Sequence, residues 1–413
     1  MQPTTLIQLI SEQTMPNLLP ALRLKPTRLV HLVTPKTAAR SACIAAAARR
    51  SGQSPALETI QLSAMPGIAE TYNVIKQAAA QAREQGQTAL VNFTGGTKLM
   101  SIGAFAAATE LRAPSLYVDT DDKVFVSGKT GDGLAEMLEQ DFSFTPLRNS
   151  LTVDVVAVAN GRERVTGGRP WKPYAELAQH LLTHSEEERA THEAIFGPGG
   201  WLPGGREPRK PHDWLPVLER GFTLPQETAR LAADCGLVET DATGLSHLSA
   251  ATTQPMRDLT QGYVTDFNRA YFKALADIQQ TTAFLTGAWL EVSVMQAAER
   301  SGLYRDLRWS VNVGERDGAD LEEDIVGLDG VQVLYVSCKR GGAKARLLPL
   351  LDEMNARARS IGGNFTRRVL AIALPPAGFT DRSLRQRARE LGIRILTGDD
   401  LRAGTAFPAP IKA

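Results

Sequence analysis

Residues 322–339, EEDIVGLDGVQVLYVSCK, decide how the C-terminal part of the chain is interpreted. Two apolar runs rich in β-branched residues flank Asp329-Gly330, and Asp-Gly between such runs is a strong signal for a β-hairpin with a two-residue turn. Side chains alternate between the two faces of a strand, so this register pairs Asp324 with Tyr335. It also predicts that four polar side chains share one face at the open end of the hairpin: Glu322, Asp324, Ser337 and Lys339.

Two carboxylates beside a lysine form a chemical set that is suited to metal-dependent hydrolysis. Carboxylate oxygens are good ligands of Mg²⁺ and Mn²⁺, and a lysine beside the metal can orient or deprotonate a water molecule. The alternative is a solvated hairpin end that carries ordinary surface charges. A single β-bulge would reverse the register, so the spacing alone leaves both interpretations open.

The elements around this hairpin follow the order α-β-β-β-α-β. An amphipathic helix over residues 286–300 carries Glu291 in its early turns, and a strand over residues 307–313 precedes the hairpin. After the hairpin the pattern predicts a helix, a strand, a second helix and a short last strand, over residues 345–361, 367–374, 383–391 and 393–396. This order, with a helix Glu, a hairpin Asp and a following x-Lys, resembles the PD-(D/E)xK nucleases, which have the fold of restriction endonucleases.

The resemblance implies roles for five residues of this chain. In that family the helix acid, the hairpin Asp and a (D/E)-x-K on the next strand share one or two divalent metal ions. Asp324 and Glu291 are therefore expected as metal ligands, and Lys339 as the group that positions water. Ser337, a weaker and neutral ligand, stands where the family has a carboxylate. Three outcomes stay open: Ser337 acts through water, Glu322 supplies the missing carboxylate as a metal ligand, or the site is impaired.

The composition is that of a soluble globular protein with two or three domains. The formal net charge of the 413 residues is +1, so no global field indicates a nucleic-acid partner and any basic surface must be local. Cys43, Cys235 and Cys338 are widely spaced, which argues against a disulfide framework and fits a reducing cytoplasm. Because no apolar run reaches about 18 residues and no signal peptide is seen, we expect a cytoplasmic protein without a membrane partner.

The first 150 residues alternate strand-like runs with helical patterns. The predicted strands cover residues 29–34, 57–62, 89–93, 116–119 and 123–127, and the predicted helices cover 37–50, 68–85 and 99–111. Such alternation predicts parallel strands joined by right-handed crossovers in a Rossmann-like sheet. Ligands of these sheets bind at the carboxyl ends of strands, where two loops lie: Thr34-Pro35-Lys36 and Thr94-Gly95-Gly96-Thr97-Lys98.

The second of these loops has the composition of an anion-binding turn. Paired glycines let backbone N–H groups approach a phosphate, and the N-terminus of the following helix adds a positive dipole. Two threonine hydroxyls and Lys98 complete the set, although neither the G-x-x-x-x-G-K-[ST] nor the G-x-G-x-x-G spacing is present. The alternative is a tight strand–helix turn in which Thr97 caps the helix and Lys98 is merely solvated.

The run from Asn92 to Lys98 resembles the ligand loop of CRISPR-associated Rossmann-fold (CARF) domains. Those domains are homodimeric sensors that hold a cyclic oligoadenylate across the dimer axis, between this loop and the loop after the first strand. The resemblance implies an effector site that contains Asn92, Thr94, Gly95, Gly96, Thr97 and Lys98. Thr34, Pro35 and Lys36 match the family's first loop by position only.

A CARF domain followed by a PD-(D/E)xK domain resembles one family closely, the cyclic tetra-adenylate-activated nucleases of type III CRISPR immunity. The resemblance implies a homodimer that uses Mg²⁺ or Mn²⁺ and cleaves DNA, RNA or both once the cyclic oligoadenylate has bound. Two other classes stay open. One is a non-enzymatic CARF-type sensor or regulator with a decayed nuclease domain. The other is a ligand-independent restriction or repair nuclease whose Rossmann-like part is only a dimerisation platform.

The middle of the chain carries the weakest pattern. Residues 151–158 resemble one more strand, and helices are expected over residues 174–184, 214–220 and 225–235. The last two helices fit either a winged-helix-like module or a simple helical connector. The spacing of His180, His184 and His192 would suit a metal, but their charged surroundings favour a solvated helix. We therefore predict an α/β protein with three parts: a CARF domain over residues 1–150, a connector over residues 151–265 and a nuclease domain over residues 266–413.

Overall fold

The N-terminal sheet is built from strands that alternate with helices. Its elements, in chain order, are β1 (Thr4–Leu9), α1 (Met15–Leu24), β2 (Arg28–Val33), α2 (Ala38–Arg50), β3 (Ala56–Gln61), α3 (Ile68–Glu84), β4 (Thr88–Asn92), α4 (Lys98–Leu111), β5 (Ser115–Asp119) and β6 (Val124–Ser127). The strand order is β3-β2-β1-β4-β5-β6, with β1 to β5 parallel and β6 antiparallel to β5. The predicted Rossmann-like sheet is confirmed.

The chain reverses its direction of winding at the centre of this sheet. Strands β2 and β3 are added on one side of β1, whereas β4 and β5 are added on the other side. In open α/β sheets such a reversal leaves a crevice at the carboxyl ends of the two central strands, and ligands bind there. The loops that follow β1 and β4, residues 10–14 and 93–97, therefore border the expected ligand position.

The sequence pattern does not predict β1 and α1, and the first predicted strand is the one at residues 29–34. Two features hide these elements: the polar residue Gln8 interrupts the apolar run of β1, and α1 contains Pro16 in its first turn and Pro20 in its interior. The loop Thr34–Lys36 consequently follows the second strand. Its assignment to the loop after the first strand is wrong, while its role in a ligand site stays a prediction.

A line of polar side chains crosses the sheet from strand to strand, and it is buried except at Thr59 on the edge strand β3. Asn92 on β4, Gln8 on β1, His31 on β2 and Thr59 on β3 lie in register with one another. Asn92 Nδ2 donates to Gln8 Oε1 at 3.0 Å, and Gln8 Nε2 lies 3.3 Å from His31 Nε2. His31 Nδ1 lies 2.8 Å from the hydroxyl of Ser41 on α2, which lies 3.1 Å from that of Thr59. We call these five residues the polar line.

The donors and acceptors of the polar line fix the tautomer of His31. Gln8 uses its amide oxygen toward Asn92, so its NH₂ group must donate to His31 Nε2. The ring proton then sits on Nδ1 and is donated to Ser41. Burial lowers the pKa of His31 from its usual 6.5 to about 4, so the polar line is neutral at physiological pH.

This neutral histidine predicts a specific pH dependence of stability. The unfolded chain takes up the imidazole proton near pH 6.5 and the folded chain only near pH 4, so the contribution is complete above pH 6.5 and is lost between those values. From pH 7 to pH 5 we expect the free energy of unfolding of the N-terminal part to fall by about 2 kcal/mol through this group. His31→Gln should remove that component in chemical denaturation at both pH values. The control His212→Gln, at a side chain that is 69% exposed, should keep the wild-type slope, and an unchanged slope in His31→Gln would contradict the assignment.

The remainder of the chain is mixed α/β. Its elements are α5 (Leu134–Met137), α6 (Val153–Ala159), β7 (Arg164–Gly167), α7 (Ala175–Thr183), α8 (Ser185–Phe196), α9 (Leu215–Glu219), α10 (Gln226–Asp234), β8 (Val238–Thr240), β9 (Ser246–Leu248), α11 (Ala250–Thr260), α12 (Phe267–Ala283), α13 (Trp289–Ser301), β10 (Arg305–Gly314), β11 (Leu321–Asp329), β12 (Gln332–Gly341), α14 (Lys344–Gly362), β13 (Thr366–Leu374), α15 (Arg382–Glu390), β14 (Ile393–Thr397) and α16 (Gly398–Arg402). The second sheet has the order β14-β13-β12-β11-β10-β7. The predicted α/β class with a C-terminal sheet is confirmed.

The strand predicted at residues 151–158 is wrong, because this segment forms helix α6. The Thr152 hydroxyl caps the helix by accepting from the Val155 N–H at 3.3 Å. Val153 and Val156 are fully buried, and an apolar run without alternation does not distinguish a buried strand from a buried helix.

The connector contains two short helices followed by a small antiparallel sheet. Helices α9 and α10 precede β8 and β9, and Phe222 between the helices forms a further bridge to Ser246 on β9. The connector is therefore not purely helical, and the winged-helix-like alternative stays a prediction.

By its internal contacts the chain divides into two units. The first unit comprises Met1–Gly168, Tyr304–Tyr335 and Asp352–Arg368, and the second comprises Arg169–Leu303, Val336–Leu351 and Val369–Ala413. The domain boundaries at residues 150 and 265 stay predictions.

The structure is a computed structural model that describes residues 4–128, 133–262, 266–315, 320–341, 344–374, 382–404 and 407, with residues 344–346, 374, 382 and 383 described by their backbone only. None of the described helices combines the length and the apolar character that a bilayer crossing requires.

Candidate functional sites

Asn92, the last residue of β4, holds the loop that follows it. Its side chain is fully buried and donates to Gln8 Oε1 at 3.0 Å and to the Pro16 carbonyl at 2.9 Å. Its Oδ1 accepts from the backbone N–H and the hydroxyl of Thr94, at 3.1 and 2.6 Å. The Thr94 hydroxyl in turn accepts from the Val118 N–H at 2.7 Å. One carboxamide therefore ties the loop to β1, to α1 and, through Thr94, to β5.

Glycine is required at each of two positions of this loop, for a different physical reason at each. A Cβ on Gly95 would lie 2.0 Å from the Leu9 carbonyl oxygen, so only glycine allows the loop to approach the end of β1 this closely. Gly96 has a φ of +76°, in the left-handed region that favours glycine. Gly95 therefore lets the loop after β4 approach the end of β1, while the predicted approach of the loop backbone to a phosphate stays a prediction.

The loop ends at the capped N-terminus of helix α4. The Thr97 hydroxyl accepts from the Met100 N–H at 3.3 Å, and the Ser101 hydroxyl donates to the Gly95 carbonyl at 3.0 Å. Gly96, Thr97 and Lys98 are all exposed, and Lys98 is the first residue of the 14-residue helix. Exposed backbone at a helix N-terminus with an adjacent lysine is the arrangement that binds phosphate groups in proteins. The cap predicted for Thr97 and a phosphate-binding role for this loop are compatible.

The loops after β1 and β2 meet through one exposed ion pair. Lys36 Nζ lies 3.0 Å from Glu12 Oε1, and the two side chains are 74% and 64% exposed. A pair this exposed contributes little to stability and leaves the lysine available to an anion. The Thr34 N–H donates to the Thr37 hydroxyl at 3.0 Å, which shapes the turn before α2.

Glu323, which the sequence alone does not single out, anchors strand β11 of the candidate hairpin. Its carboxylate is 1% exposed, accepts from the Tyr335 hydroxyl at 2.8 Å and lies 3.3 Å from Arg357 Nη2. Burial raises the pKa of Glu323, and the contacts with Tyr335 and Arg357 oppose that rise. Arg357 also donates to the Glu322 carbonyl at 2.5 Å. No signal in the sequence separates Glu323 from its acidic neighbours, because only the pleat decides which of them turns inward.

The type I′ turn predicted at Asp329-Gly330 is wrong. Strand β11 extends through Asp329 and β12 begins at Gln332, so the turn lies at Gly330 and Val331, one residue later than predicted. Gly330 has the positive φ of +59° that Asp329 lacks, whereas a type I′ turn needs it at both central residues. Arg367 Nη1 lies 2.7 Å from the Asp329 carboxylate at the end of β11. The facing of Asp324 and Tyr335, and the shared face of the four polar side chains, stay predictions.

On the opposite side of β11, Glu322 meets a strained serine. The Ser310 hydroxyl donates to Glu322 Oε1 at 2.5 Å, and Ser310 has a φ of +55°. A non-glycine residue in this region costs about 1–3 kcal/mol, and such residues cluster at functional sites. Glu322 is exposed and Asp324 is half-buried, and residues two apart on a strand share a face.

In the second unit, the end of β12 lies beside the start of α13. A Cβ on Gly287, which precedes α13 in a π-helical turn, would lie 3.6 Å from the Cβ of Arg340. Glu291 is half-buried in the first turn of α13, while Ser337 is 7% exposed and Lys339 half-buried on β12. Arg340 forms a bidentate ion pair with Glu188, whose side chain is 1% exposed on α8. Cys338 is buried.

Two of the described carboxylates are suited to binding a hard divalent cation. Glu322 and Asp324 offer two carboxylates on one face, and Mg²⁺ is commonly bound through one or two carboxylates with water and substrate phosphates completing the shell. Among the residues that the structure describes, no group of three or more His, Cys, Asp or Glu side chains is placed to hold a metal. His180 and His184 stack at 4.3 Å between ring centroids, and His180 Nε2 lies 2.8 Å from Glu187 Oε2, so this histidine joins α7 to α8.

The comparison with protein-family models matches residues 5–137 to the Card1 CARF domain. The N-terminal domain is a CARF domain. The resemblance predicted from the Asn92–Lys98 run is thereby confirmed, and the match begins at β1 and includes both loops at the crevice.

Two solved structures resemble the whole chain and support the fold beyond the CARF domain. Can2 from Sulfobacillus thermosulfidooxidans, in complex with cyclic tetra-adenylate, has a TM-score of 0.66 at 17% identity and covers 97% of this chain and 98% of its own. Protein VC1899 from Vibrio cholerae has a TM-score of 0.68 at 11% identity, covering 97% and 96%. The comparison with curated protein sequences finds no match.

The close approach at Gly95 predicts that the CARF domain does not accept a side chain there. Gly95→Ala would drive a methyl group into the Leu9 carbonyl, so we expect a loss of about 2 kcal/mol or more in the free energy of unfolding and faster hydrogen exchange in residues 93–97. The control is Gly67→Ala, where a Cβ meets nothing within 4 Å. Equal stability and exchange in the two variants would contradict the geometry of the loop.

Proposed function

We propose that this protein is a metal-dependent nuclease that a cyclic oligoadenylate activates, in the defence of a type III CRISPR system. The observation that carries the proposal is a CARF domain whose glycine loop lies at the crevice between β1 and β4. The nuclease part of the proposal rests on two carboxylates, those of Glu322 and Asp324, and on Lys339, all in the C-terminal sheet. Can2, a protein of similar fold along its whole length, was solved with cyclic tetra-adenylate, and we take that ring as the activator.

The effector would bind to the loop after β4. Lys98 and the exposed backbone at the start of α4 face an incoming phosphate, and Asn92 and Thr94 hold that backbone in place. Gly96 and Thr97 lie in the same loop, and Lys36 lies in the loop after β2. These three residues complete the proposed effector site.

A homodimer gives this cyclic ligand two equal half-sites. The helix α4 and strands β5 and β6 carry an exposed apolar patch, with side chains 40–52% exposed: Leu99, Ile102, Phe105, Tyr117 and Val126. Phe93 joins the two parts of this patch, 5.3 Å from Phe105 and 6.1 Å from Tyr117 between ring centroids. A continuous apolar surface beside the effector loop is suited to a second copy of the chain.

In the nuclease part, Asp324 and Glu322 would hold Mg²⁺ or Mn²⁺, with Glu291 as a further ligand. When bound, the metal would supply Lewis-acid stabilisation of the phosphate and activation of water. Ser310 keeps the Glu322 carboxylate oriented through its hydroxyl. Lys339 would position the attacking water, and Ser337 would contribute through water because a neutral hydroxyl adds no charge.

Activation requires that the cyclic ligand prefers one arrangement of the dimer. A ligand changes a conformational equilibrium only by its difference in affinity for the two states. We therefore expect bound cyclic tetra-adenylate to favour the dimer arrangement in which the nuclease residues are competent.

The proposal is tested by cleavage of labelled RNA, single-stranded DNA and duplex DNA with Mn²⁺, with and without cyclic tetra-adenylate. We expect cleavage only with both. Asp324→Asn should lower the rate about 100-fold or more while ligand affinity stays unchanged, since a metal ligand is lost. Lys98→Ala should weaken ligand binding about tenfold, because a charge-assisted hydrogen bond to phosphate is lost, and Lys210→Ala should not.

The outcomes of this experiment separate the proposal from the alternatives. Ligand binding without any metal-dependent cleavage would favour the non-enzymatic sensor with a decayed nuclease domain. Cleavage that is independent of cyclic tetra-adenylate would favour the restriction or repair nuclease.

A second comparison asks which side chain replaces the missing family carboxylate. If Glu322 is the metal ligand, Glu322→Gln should raise the Mn²⁺ concentration for half-maximal activity about tenfold, whereas Ser337→Ala should change it little. The opposite order would make Ser337 the ligand. Ser310→Ala removes only the hydroxyl that orients Glu322. We expect it to raise the Mn²⁺ concentration for half-maximal activity more than Ser337→Ala and less than Glu322→Gln.

A further inference from the structure

The second unit contains a basic cleft that the proposed catalysis does not use. The cleft lies between α15 and β14 and has a volume of about 410 Å³. Its floor is apolar and its rim is basic; the lining residues that matter are Ala388, Ile393, Ile395, Arg385, Arg389 and Arg394. We call this the arginine cleft.

The charges of the arginine cleft are not explained by the stability of α15. Arg385 and Arg389 are four residues apart, so they lie on one face of the helix, where like charges repel. Both are exposed, and among the described residues neither has an ion-pair partner. Arg387, on a different face, lies 3.4 Å from Glu390, so the acid at the end of the helix is directed away from the cleft.

The carboxylate that lines the cleft is already occupied. Asp400 Oδ2 accepts from the backbone N–H and the hydroxyl of Thr397, at 2.8 and 2.7 Å, in the capping box that begins α16. Asp400 therefore stabilises a helix N-terminus and is not oriented to neutralise the arginines. The cleft keeps a net positive charge above an apolar floor.

These features together match a nucleic-acid strand. Guanidinium groups bind phosphate oxygens with two parallel hydrogen bonds, and an apolar floor accepts the face of a base or a sugar. We propose that the arginine cleft binds the phosphodiester backbone of the substrate strand, with Arg385 and Arg389 on successive phosphates. This inference rests on the proposed nuclease function for the identity of the ligand.

The test measures binding apart from cleavage. The full-length Asp324→Asn protein is titrated with labelled single-stranded RNA, single-stranded DNA and duplex DNA at several salt concentrations. Adding Arg385→Ala and Arg389→Ala should raise the Kd about tenfold and reduce the slope of log K against log salt by about 1.5, the value for two released phosphate contacts. The matched control is Arg49→Ala with Arg300→Ala, two exposed arginines in the last turns of α2 and α13. Lysine at both cleft positions should restore the slope and only part of the affinity.

Every outcome bears on the inference. An unchanged Kd and slope in the alanine variant overturns it, as does an equal loss in the control or the absence of binding to all three probes. The proposed function fails separately, if the wild-type protein binds but does not cleave with Mn²⁺ and cyclic tetra-adenylate. In that case a Kd that still depends on the two arginines supports the cleft as a nucleic-acid site of a non-cleaving protein.

Discussion

The hydrogen bonds of a single buried carboxamide, that of Asn92, hold together the carboxyl end of the first sheet. Its two donors and its acceptor reach β1, α1 and the following loop, and each of these partners is a main-chain group or a buried side chain. A buried carboxamide must satisfy all of its polar atoms, so the position of each partner is fixed with that of Asn92. The contact of Gly95 with Leu9, the start of α4 and the exposure of Lys98 all follow from this arrangement.

The polar line extends this constraint across the sheet, and it also explains what the sequence hides. Gln8 makes β1 look too polar for a central strand, yet it is polar because it lies between Asn92 and His31. The alternation of strands and helices after residue 28 is predictable, because most of those strands are short apolar runs and those helices are uninterrupted. The first strand and the first helix are not predictable from the sequence, because Gln8 and the two prolines of α1 give this segment the pattern of a loop.

The hairpin shows the same limit of sequence-based prediction at the level of single side chains. Its two strands are evident from the β-branched runs, but the face that each acid occupies depends on the turn. Asp329-Gly330 is a strong turn signal, yet β11 extends through Asp329, whose carboxylate contacts Arg367, and the turn lies one residue later. Glu322, Glu323 and Asp324 are chemically alike in sequence, and only the buried contacts of Glu323 with Tyr335 and Arg357 give the three their different roles. Long-range contacts of this kind have no local signature.

The buried pair of Arg340 and Glu188 has a consequence for how β12 is assembled. If the strand slipped by two residues, Cys338 would stand where Arg340 stands, and the carboxylate of Glu188 would remain buried without a counter-charge. An uncompensated buried charge costs about 3–5 kcal/mol, which is a large part of the stability of a domain. Ion pairs of this type add little net stability over apolar packing, but they discriminate strongly between alternative alignments. The pair therefore favours the alignment of β12 in which Lys339 lies at its own position over one displaced by two residues.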